Sequence, residues 1–209
     1  MAMLINNLFI FCIVRARSSR LCTQTERNTM ELTLNDRLNT LLEAYSHHYS
    51  NIERDVVTDK GTFSATADFF VRDENYAFLK NIVISAFEQY EYAYFQLADH
   101  LDEAGAKDLL DRTLAHGMSR IRPHKEHKSS YVTLVILANT ITPEAKKLIQ
   151  KTRFQKNFRL SLHGWMEYHI AAMECSTQSF LSNPGGKGAR KNLEQNFRSS
   201  AIKKGEKSQ

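Results

Sequence analysis

Residues 131–138 read Tyr131-Val132-Thr133-Leu134-Val135-Ile136-Leu137-Ala138, an apolar run with almost no polar side. A strand with one solvated face alternates apolar and polar residues. A strand that is covered on both faces is apolar nearly throughout. The run therefore predicts a strand in the middle of a sheet, with other layers packed on both of its faces.

The segments on either side of this run change between helical and strand periods. Helix-period segments lie at about residues 35–52, 99–121 and 143–152, and strand-period segments lie at about residues 55–98 and 158–173. This order, α-ββββ-α-β-α-β, predicts a single domain of the α+β (or α/β) class. We expect a mostly antiparallel mixed sheet of about five to six strands, with helices packed on it.

The strand-period block is predicted to be two hairpins that form a four-strand meander. Residues 55–71 alternate around the turn Asp59-Lys60-Gly61, and residues 79–87 and 90–97 are predicted to be a second hairpin that turns near Gln89. Sequential strands tend to be neighbours, which favours the meander. The closing segment is nearly perfect in period 2 and predicts one long strand.

In that closing strand Gly164 is expected to mark a bulge or bend. Before the central strand, residues 123–128 are polar and contain two histidines, and we interpret them as a solvated loop.

The N-terminus carries a short apolar stretch at residues 4–14, which cannot span a bilayer because a span needs about 20 residues. Met30 resembles a natural protein start. We therefore expect residues 1–29 to be an extension that is disordered or not normally translated, and a weak membrane anchor is the alternative.

The C-terminus follows a chain breaker, Asn183-Pro184-Gly185-Gly186. The segment 187–209 is polar and basic, which favours a flexible tail. A single globular domain is accordingly expected over residues 30–186.

Positive charge is concentrated at the two ends. The net charge is +3 over residues 1–29 and +5 over residues 187–209, while the whole chain carries +5, so the domain itself carries −3. A globular nucleic-acid binder is usually basic on the domain. We expect nucleic acid to be bound, if at all, through the basic tail.

The three cysteines, Cys12, Cys22 and Cys175, are odd in number, widely spaced and without a CxxC pair. This pattern argues against a disulfide framework and against a zinc ribbon. It is typical of a reducing compartment. We therefore expect a cytoplasmic protein.

Common catalytic motifs are missing from the sequence. It has no P-loop, no Gly-x-Ser-x-Gly elbow and no HExxH. His163, Glu167 and His169 share one face of the closing strand, but residues four apart on a strand are separated by about 13 Å, so only Glu167 and His169 could bind one ion together. We interpret these three side chains as a polar sheet face and assign no metal site.

Exposed aromatic side chains support the first of two functional hypotheses, a binding or accessory protein whose partner is a protein or a small molecule. The aromatic residues fall on the polar faces of the predicted strands. The candidate binding residues are Phe70, Tyr92, Tyr94, Trp165, His163 and Glu167.

The second hypothesis is a degenerate metal-dependent nuclease. The predicted order of elements is compatible with the PD-(D/E)xK nuclease core, in which carboxylates hold Mg²⁺ and a lysine steadies the attacking water. Asp68 could be the first carboxylate and Glu88 or Glu91 the second, with Lys80 as the lysine. The Glu-x-Lys pattern itself is missing, and Mg²⁺ is implied only under this hypothesis.

Three stretches resemble a bacterial domain-of-unknown-function family of the Firmicutes (Clostridia) type. They are residues 67–72 (Ala-Asp-Phe-Phe-Val-Arg), residues 87–92 (Phe-Glu-Gln-Tyr-Glu-Tyr) and residues 163–167 (His-Gly-Trp-Met-Glu) with Asn183. The resemblance covers about residues 35–190. It implies a cytoplasmic bacterial domain and brings no activity, cofactor or catalytic residue.

Overall fold

The computed structural model describes residues 32–76 and 83–206, with side chains over residues 32–72 and 87–198. The expected extension at residues 1–29 and the candidate Lys80 lie outside the described residues. The described part forms one compact unit. Its helices are α1 (Leu34–Ser46), α2 (Glu103–Arg120), α3 (Pro143–Lys151) and α4 (Lys187–Glu206). Its strands are β1 (Ser50–Thr58), β2 (Gly61–Tyr76), β3 (Val83–Leu101), β4 (His127–Ile141), β5 (Gln155–Asn157), β6 (Trp165–Glu174) and β7 (Ser179–Ser182).

The strands form one mixed seven-stranded sheet in the order β1-β2-β3-β4-β6-β5, with β7 also paired to β6. The β3–β4 and β4–β6 pairs are parallel. The β1–β2, β2–β3, β5–β6 and β6–β7 pairs are antiparallel. The predicted class, a mixed and mostly antiparallel sheet with packed helices, is confirmed.

Strand β4 is the centre of the sheet, as its apolar sequence predicts. Val132, Leu134 and Ile136 face α2 and α3 in one core, and Val135 and Leu137 face α1 and α4 in another. All five side chains are at most 1% exposed. Because both faces of β4 are covered by helices, its lack of alternation has a direct physical cause.

Local sequence sets where three helices begin. Thr33 caps α1 in a capping box with Asp36, and Asp102 caps α2 by accepting a hydrogen bond from the Gly105 amide. Thr142 caps α3, and Pro143 occupies the first turn, where a missing N–H is harmless. Each cap accepts from an amide that has no partner within the helix.

The predicted second hairpin is wrong. Residues 83–101 form one continuous strand, in which Gln89 pairs with Val71 on β2 and with Ser129 on β4. No glycine or proline interrupts this stretch, so the chain has no reason to turn there. The meander therefore has three strands, β1 to β3, around the predicted turn at residues 59–61.

The predicted single strand over 158–173 is also wrong. Residues 155–157 form β5, residues 158–164 form a loop, and β6 begins at Trp165. Arg159, Leu160 and Ser161 have positive φ angles of 47°, 53° and 70°, which a strand cannot accommodate. Period 2 in the sequence continues across a segment in which the backbone turns back.

The predicted flexible tail begins with a helix. α4 starts at Lys187 and packs on the sheet through Leu193, which is 1% exposed, and Phe197, which is 9% exposed. The ordered body therefore extends beyond residue 186, and the prediction of a flexible tail is wrong for residues 187–198. Within the described residues, no helix is long and apolar enough to cross a membrane.

Candidate functional site

A band of polar and aromatic side chains lies on β2 and β3, on the face that packs against α2. Antiparallel register places Asp68 beside Tyr92, Phe70 beside Tyr90 and Arg72 beside Glu88. Because side chains alternate along a strand, these six residues project from one face of the sheet. We call these six residues the β2–β3 band.

Asp68 and Arg120 form the ionic centre at one end of the band. Arg120 Nη2 donates to Asp68 Oδ2 at 2.7 Å, and the guanidinium lies over the Tyr92 ring, 4.3 Å from its centroid. Asn51 Nδ2 lies 3.5 Å from the same Oδ2. Among the described residues, the buried Asp68 Oδ1 has no hydrogen-bond partner.

A cleft of about 320 Å³ opens beside this ion pair, between the β1–β2 hairpin and α2. The hairpin supplies carboxylates and short polar side chains, and α2 supplies His116 and Arg120. The lining residues are Asn51, Glu53, Val56, Val57, Thr58, Asp59, Thr66, Asp68, His116 and Arg120. Three carboxylates and one guanidinium therefore line the cleft.

His116 lines the cleft and contacts the buried Tyr94, and both side chains are uncharged near neutral pH. His116 Nδ1 lies 2.8 Å from the Tyr94 hydroxyl oxygen. Burial, and then the nearby positive charge of Arg120, lower the pKa of His116. Burial raises the pKa of Tyr94 to about 12. Neither group offsets the negative charge of the cleft near neutral pH.

Glu88 is the ionic centre at the other end of the band. It is only 7% exposed. Tyr90 donates to it at 2.7 Å, Arg72 at 2.7 Å, and His124 Nε2 lies 3.0 Å away. The hydrogen bond from Tyr90, followed by the proximity of His124 and Arg72, lowers the pKa of Glu88 against the effect of burial. Glu88 is therefore held as a carboxylate.

Aromatic rings connect the band to the neighbouring strand. The Phe70 and Tyr90 ring centroids are 4.9 Å apart, the Tyr90 and His127 centroids 6.1 Å, and the His127 and Phe158 centroids 5.7 Å. Phe70 is 51% exposed at the open end of this row. The interpretation of residues 123–128 as a solvated loop is wrong for His127, which is 3% exposed because β4 begins there.

The candidate nuclease carboxylates do not meet. Asp68 lies on the face toward α2, whereas Glu91 lies on the opposite face, where it accepts from Tyr49 at 2.8 Å and from Thr133 at 2.6 Å. Asp68 and Glu88 share a face but are four register positions apart, which is about 13 Å. Over the described residues, no group of three or more His, Cys, Asp or Glu residues could hold a metal ion.

The remaining candidate residues are dispersed. Tyr94 is fully buried in the core beside Phe63. Trp165 and Glu167 lie on the face toward α1 and α4, away from Phe70 and Tyr92, since they alternate with the buried Met166 and Tyr168 of the other core. His163 belongs to the loop before β6. The predicted aromatic surface therefore contains Phe70 and Tyr92, joined by Tyr90.

Sequence reasoning missed four residues that complete the site, namely Asn51, Tyr90, His116 and Arg120. Arg120 is 52 positions from Asp68 along the chain. No local pattern links residues at that separation, because the contact exists only after α2 packs on β3. A signal was available for Tyr90, which alternates with Tyr92 and Tyr94 on one strand face.

Comparison with known proteins gives one result that covers most of the chain. Residues 33–195 match the family described as a domain of unknown function, DUF8052. Comparison with curated proteins and with solved structures finds no match. The match agrees with the resemblance drawn from residues 67–72, 87–92 and 163–167, and this chain therefore belongs to the DUF8052 family of domains of unknown function.

Proposed function

We propose that this protein is a binding domain that takes a small polar molecule into the cleft beside Asp68. One observation carries the proposal. Within the described part of the chain, Asp68 Oδ1 is a buried acceptor without a donor, next to a cleft of about 320 Å³. That volume is at the lower end of the range for small-molecule sites, which is roughly 300–1,000 Å³.

The state of the Asp68 carboxylate indicates what the ligand must offer. One oxygen is held by Arg120, so the orientation of the carboxylate is set before any ligand arrives. The other oxygen is buried and unsatisfied, which costs about 1–3 kcal/mol. A ligand that brings an N–H or O–H group to this oxygen would remove that penalty, and it would do so by shifting the atoms that now cover the oxygen.

The charges of the cleft narrow the ligand class further. Glu53, Asp59 and Asp68 contribute three negative charges, and Arg120 contributes one positive charge. An anionic ligand would meet net repulsion, whereas an ammonium group or a polyhydroxylated molecule would not. The favoured ligand is therefore a small amine or polyol.

We further propose that the protein is bacterial and works in the cytoplasm. The support for the compartment is its cysteine usage. Cys175 is a free, half-buried thiol within the described residues, and burial raises its pKa, so it carries little thiolate character. Such a thiol is compatible with a reducing compartment.

The test compares ligand-induced stabilisation of the wild type with that of Asp68→Asn. Because Arg120 requires an oxygen, the asparagine would place its amide NH₂ where Oδ1 lies, which replaces an acceptor by a donor at the same position. A panel of small amines, polyols and amino acids is screened by thermal shift. Hits are then measured by calorimetry. A ligand at 100 times its Kd stabilises the native state by about 2.7 kcal/mol.

We expect at least one amine or polyol to raise the melting temperature of the wild type and not that of Asp68→Asn. Asp108→Asn is the matched control, because Asp108 lies on α2 outside the cleft and its side chain is 77% exposed. Equal stabilisation of wild type and Asp68→Asn, or no stabilisation by any member of the panel, would overturn the proposal.

A further inference from the structure

The loop between β5 and β6, residues 158–164, has an unusual backbone. Arg159, Leu160 and Ser161 adopt consecutive positive φ angles of 47°, 53° and 70°. These three residues form one left-handed turn, which residues with a Cβ disfavour. Such strain persists only where the surrounding structure imposes it, and it is concentrated at functional positions.

Hydrogen bonds hold the loop in this shape. The Leu162 amide donates to the Arg159 carbonyl at 3.0 Å, and the His163 amide donates to the Phe158 carbonyl at 3.1 Å. His127 Nδ1 lies 2.6 Å from the His163 carbonyl oxygen and therefore donates to it, since a carbonyl can only accept. The base of the loop is thus fastened to β4.

Gly164 allows this close attachment. Its φ angle is 74°, and a Cβ at this position would lie 2.3 Å from the backbone oxygen of Lys128. Only glycine fits such a contact. The close contact at Gly164 therefore holds the C-terminal end of the loop against β4.

The turn directs two leucines into solvent. Leu160 is 95% exposed and Leu162 is 76% exposed, and Leu160 is the most exposed large apolar side chain in the described part of the chain. The fold of the turn does not require leucine at positions 160 and 162. The hydrogen bonds that hold the turn are all made by the backbone or by His127. Exposed apolar residues on a built projection indicate an interaction site.

The surroundings of the two leucines are cationic. Residues 145–166 contain six lysines and arginines and no aspartate or glutamate. Arg159 lies in the loop itself, and Lys156 lies on β5 with its ammonium over the Phe158 ring. The Lys128 backbone lies at the base of the loop, and its ammonium lies over the Phe87 ring of β3. All three cations are exposed. The nearest acidic residue along β6 is Glu167, which pairs with Gln155 beyond the base of the loop.

We infer that this loop docks the protein on an anionic phospholipid surface, with Leu160 and Leu162 entering the apolar layer and Lys156 and Arg159 contacting the headgroups. Cations beside exposed apolar side chains match the arrangement of a bilayer surface, in which negative headgroups overlie hydrocarbon. Two leucines at the tip of a projecting loop can enter a lipid layer without a preformed pocket. A protein partner would have to supply a pocket for them. The inference does not depend on the ligand cleft.

Vesicle co-sedimentation of the full chain tests the inference. Vesicles of phosphatidylcholine alone are compared with vesicles that contain about 30% phosphatidylglycerol, because surface potential depends on the anionic fraction. We expect binding to the anionic vesicles that weakens as salt is raised. We expect the double variant Leu160→Ser, Leu162→Ser to lower the partition coefficient by about tenfold or more.

Two further variants separate the loop from other sources of binding. Val57→Ser is the matched control, because Val57 is an exposed apolar residue (79%) on β1, far from the loop in strand order. It should bind as the wild type does. The double variant Lys156→Gln, Arg159→Gln should bind anionic vesicles more weakly than the wild type. The binding that remains should depend less on salt concentration. All five substituted side chains are exposed, so melting temperatures should stay close to that of the wild type.

Several results would overturn the inference. One is a wild type that does not bind anionic vesicles at all. Another is a double-leucine variant that binds as tightly as Val57→Ser, which would assign the binding to residues outside the loop, including the apolar stretch at 4–14. A third is a wild type that binds an acidic protein but no vesicles, together with a double-leucine variant that no longer binds that protein.

Discussion

Glu174, at the end of β6, shows how a single buried charge can join several elements. It is 4% exposed. It accepts from the Ile141 amide at 2.9 Å and from Lys146 Nζ at 2.8 Å, and Thr177 also donates to it. Burial acts to raise the pKa of Glu174, but these three donors outweigh it and lower the pKa to about 2. The carboxylate thereby connects β6 with β4, α3 and the turn before β7.

The lowered pKa of Glu174 predicts a stability that depends on pH. Its ordinary pKa is 4.5, so the stabilisation is fully present above about pH 4.5 and is lost as the pH falls toward 2. The difference corresponds to a stabilisation on the order of 3 kcal/mol. We expect Glu174→Gln to lose about 2–4 kcal/mol at pH 7 and to weaken the dependence of stability on pH in that window. Urea unfolding between pH 2 and 7 measures both effects.

The control for this prediction is Glu144→Gln. Glu144 is exposed in the first turn of α3, close in sequence to Lys146. It should change stability by less than about 0.5 kcal/mol. If Glu174→Gln unfolds at the same urea concentration as Glu144→Gln across the whole pH range, the assigned role of Glu174 is wrong.

At the scale of elements, α2 approaches the central strand unusually closely at Gly117. A Cβ at this position would lie 2.6 Å from both Cγ atoms of Val132. Val132 is completely buried on β4 and, as a β-branched residue, has little rotamer freedom. The close contact between helix and sheet therefore requires glycine at position 117.

Two opposite effects compete in Gly117→Ala. Alanine favours a helix interior by about 1 kcal/mol relative to glycine. Forcing a methyl group into a packed core typically costs about 1–3 kcal/mol. Since the 2.6 Å contacts are with a rigid side chain, we expect the steric effect to dominate and the free energy of unfolding to fall, as measured by urea unfolding.

Gly188→Ala is the matched control, because a Cβ at Gly188 in α4 would meet no atom of the described chain within 4 Å. It should be neutral or stabilising by up to about 1 kcal/mol. A Gly117→Ala protein that is as stable as Gly188→Ala would show that α2 can shift away from β4 at little cost.

At the scale of the whole molecule, both faces of the sheet need cover, and α4 completes the second face. Leu193 packs with Leu38, Val135 and Ala171 in the same core as α1. The Arg37 guanidinium of α1 lies over the Phe197 ring of α4, 5.8 Å from its centroid. α4 is thus part of the cooperative unit.

This role of α4 predicts a large effect of Leu193→Ala. Removing a fully buried leucine side chain typically costs about 2–5 kcal/mol. We expect urea unfolding to remain a single transition with a lower midpoint. Gln195→Ala, on an exposed position of the same helix, should leave the midpoint nearly unchanged. Equal midpoints for the two variants would instead fit the flexible tail expected from composition.

The sequence by itself determined the central strand, the short helix that begins near residue 143, the turn at residues 59–61 and the mixed order of helices and strands. These features follow from local physics, because period, capping and turn chemistry involve residues only a few positions apart. The same local reasoning failed at Gln89 and at residues 158–164. Period 2 describes which side chains alternate and does not reveal where a backbone turns.

Only the tertiary structure decided the site. The pairing of Asp68 with Arg120 and the separation of Asp68 from Glu91 onto opposite faces depend on the β2–β3 register and on the docking of α2. The burial of Leu193 likewise depends on a sheet face formed by distant strands. Such contacts join residues that are far apart in the chain. Their free energy arises from burial and hydrogen bonding between distant segments, so it cannot be predicted from any single segment of the sequence.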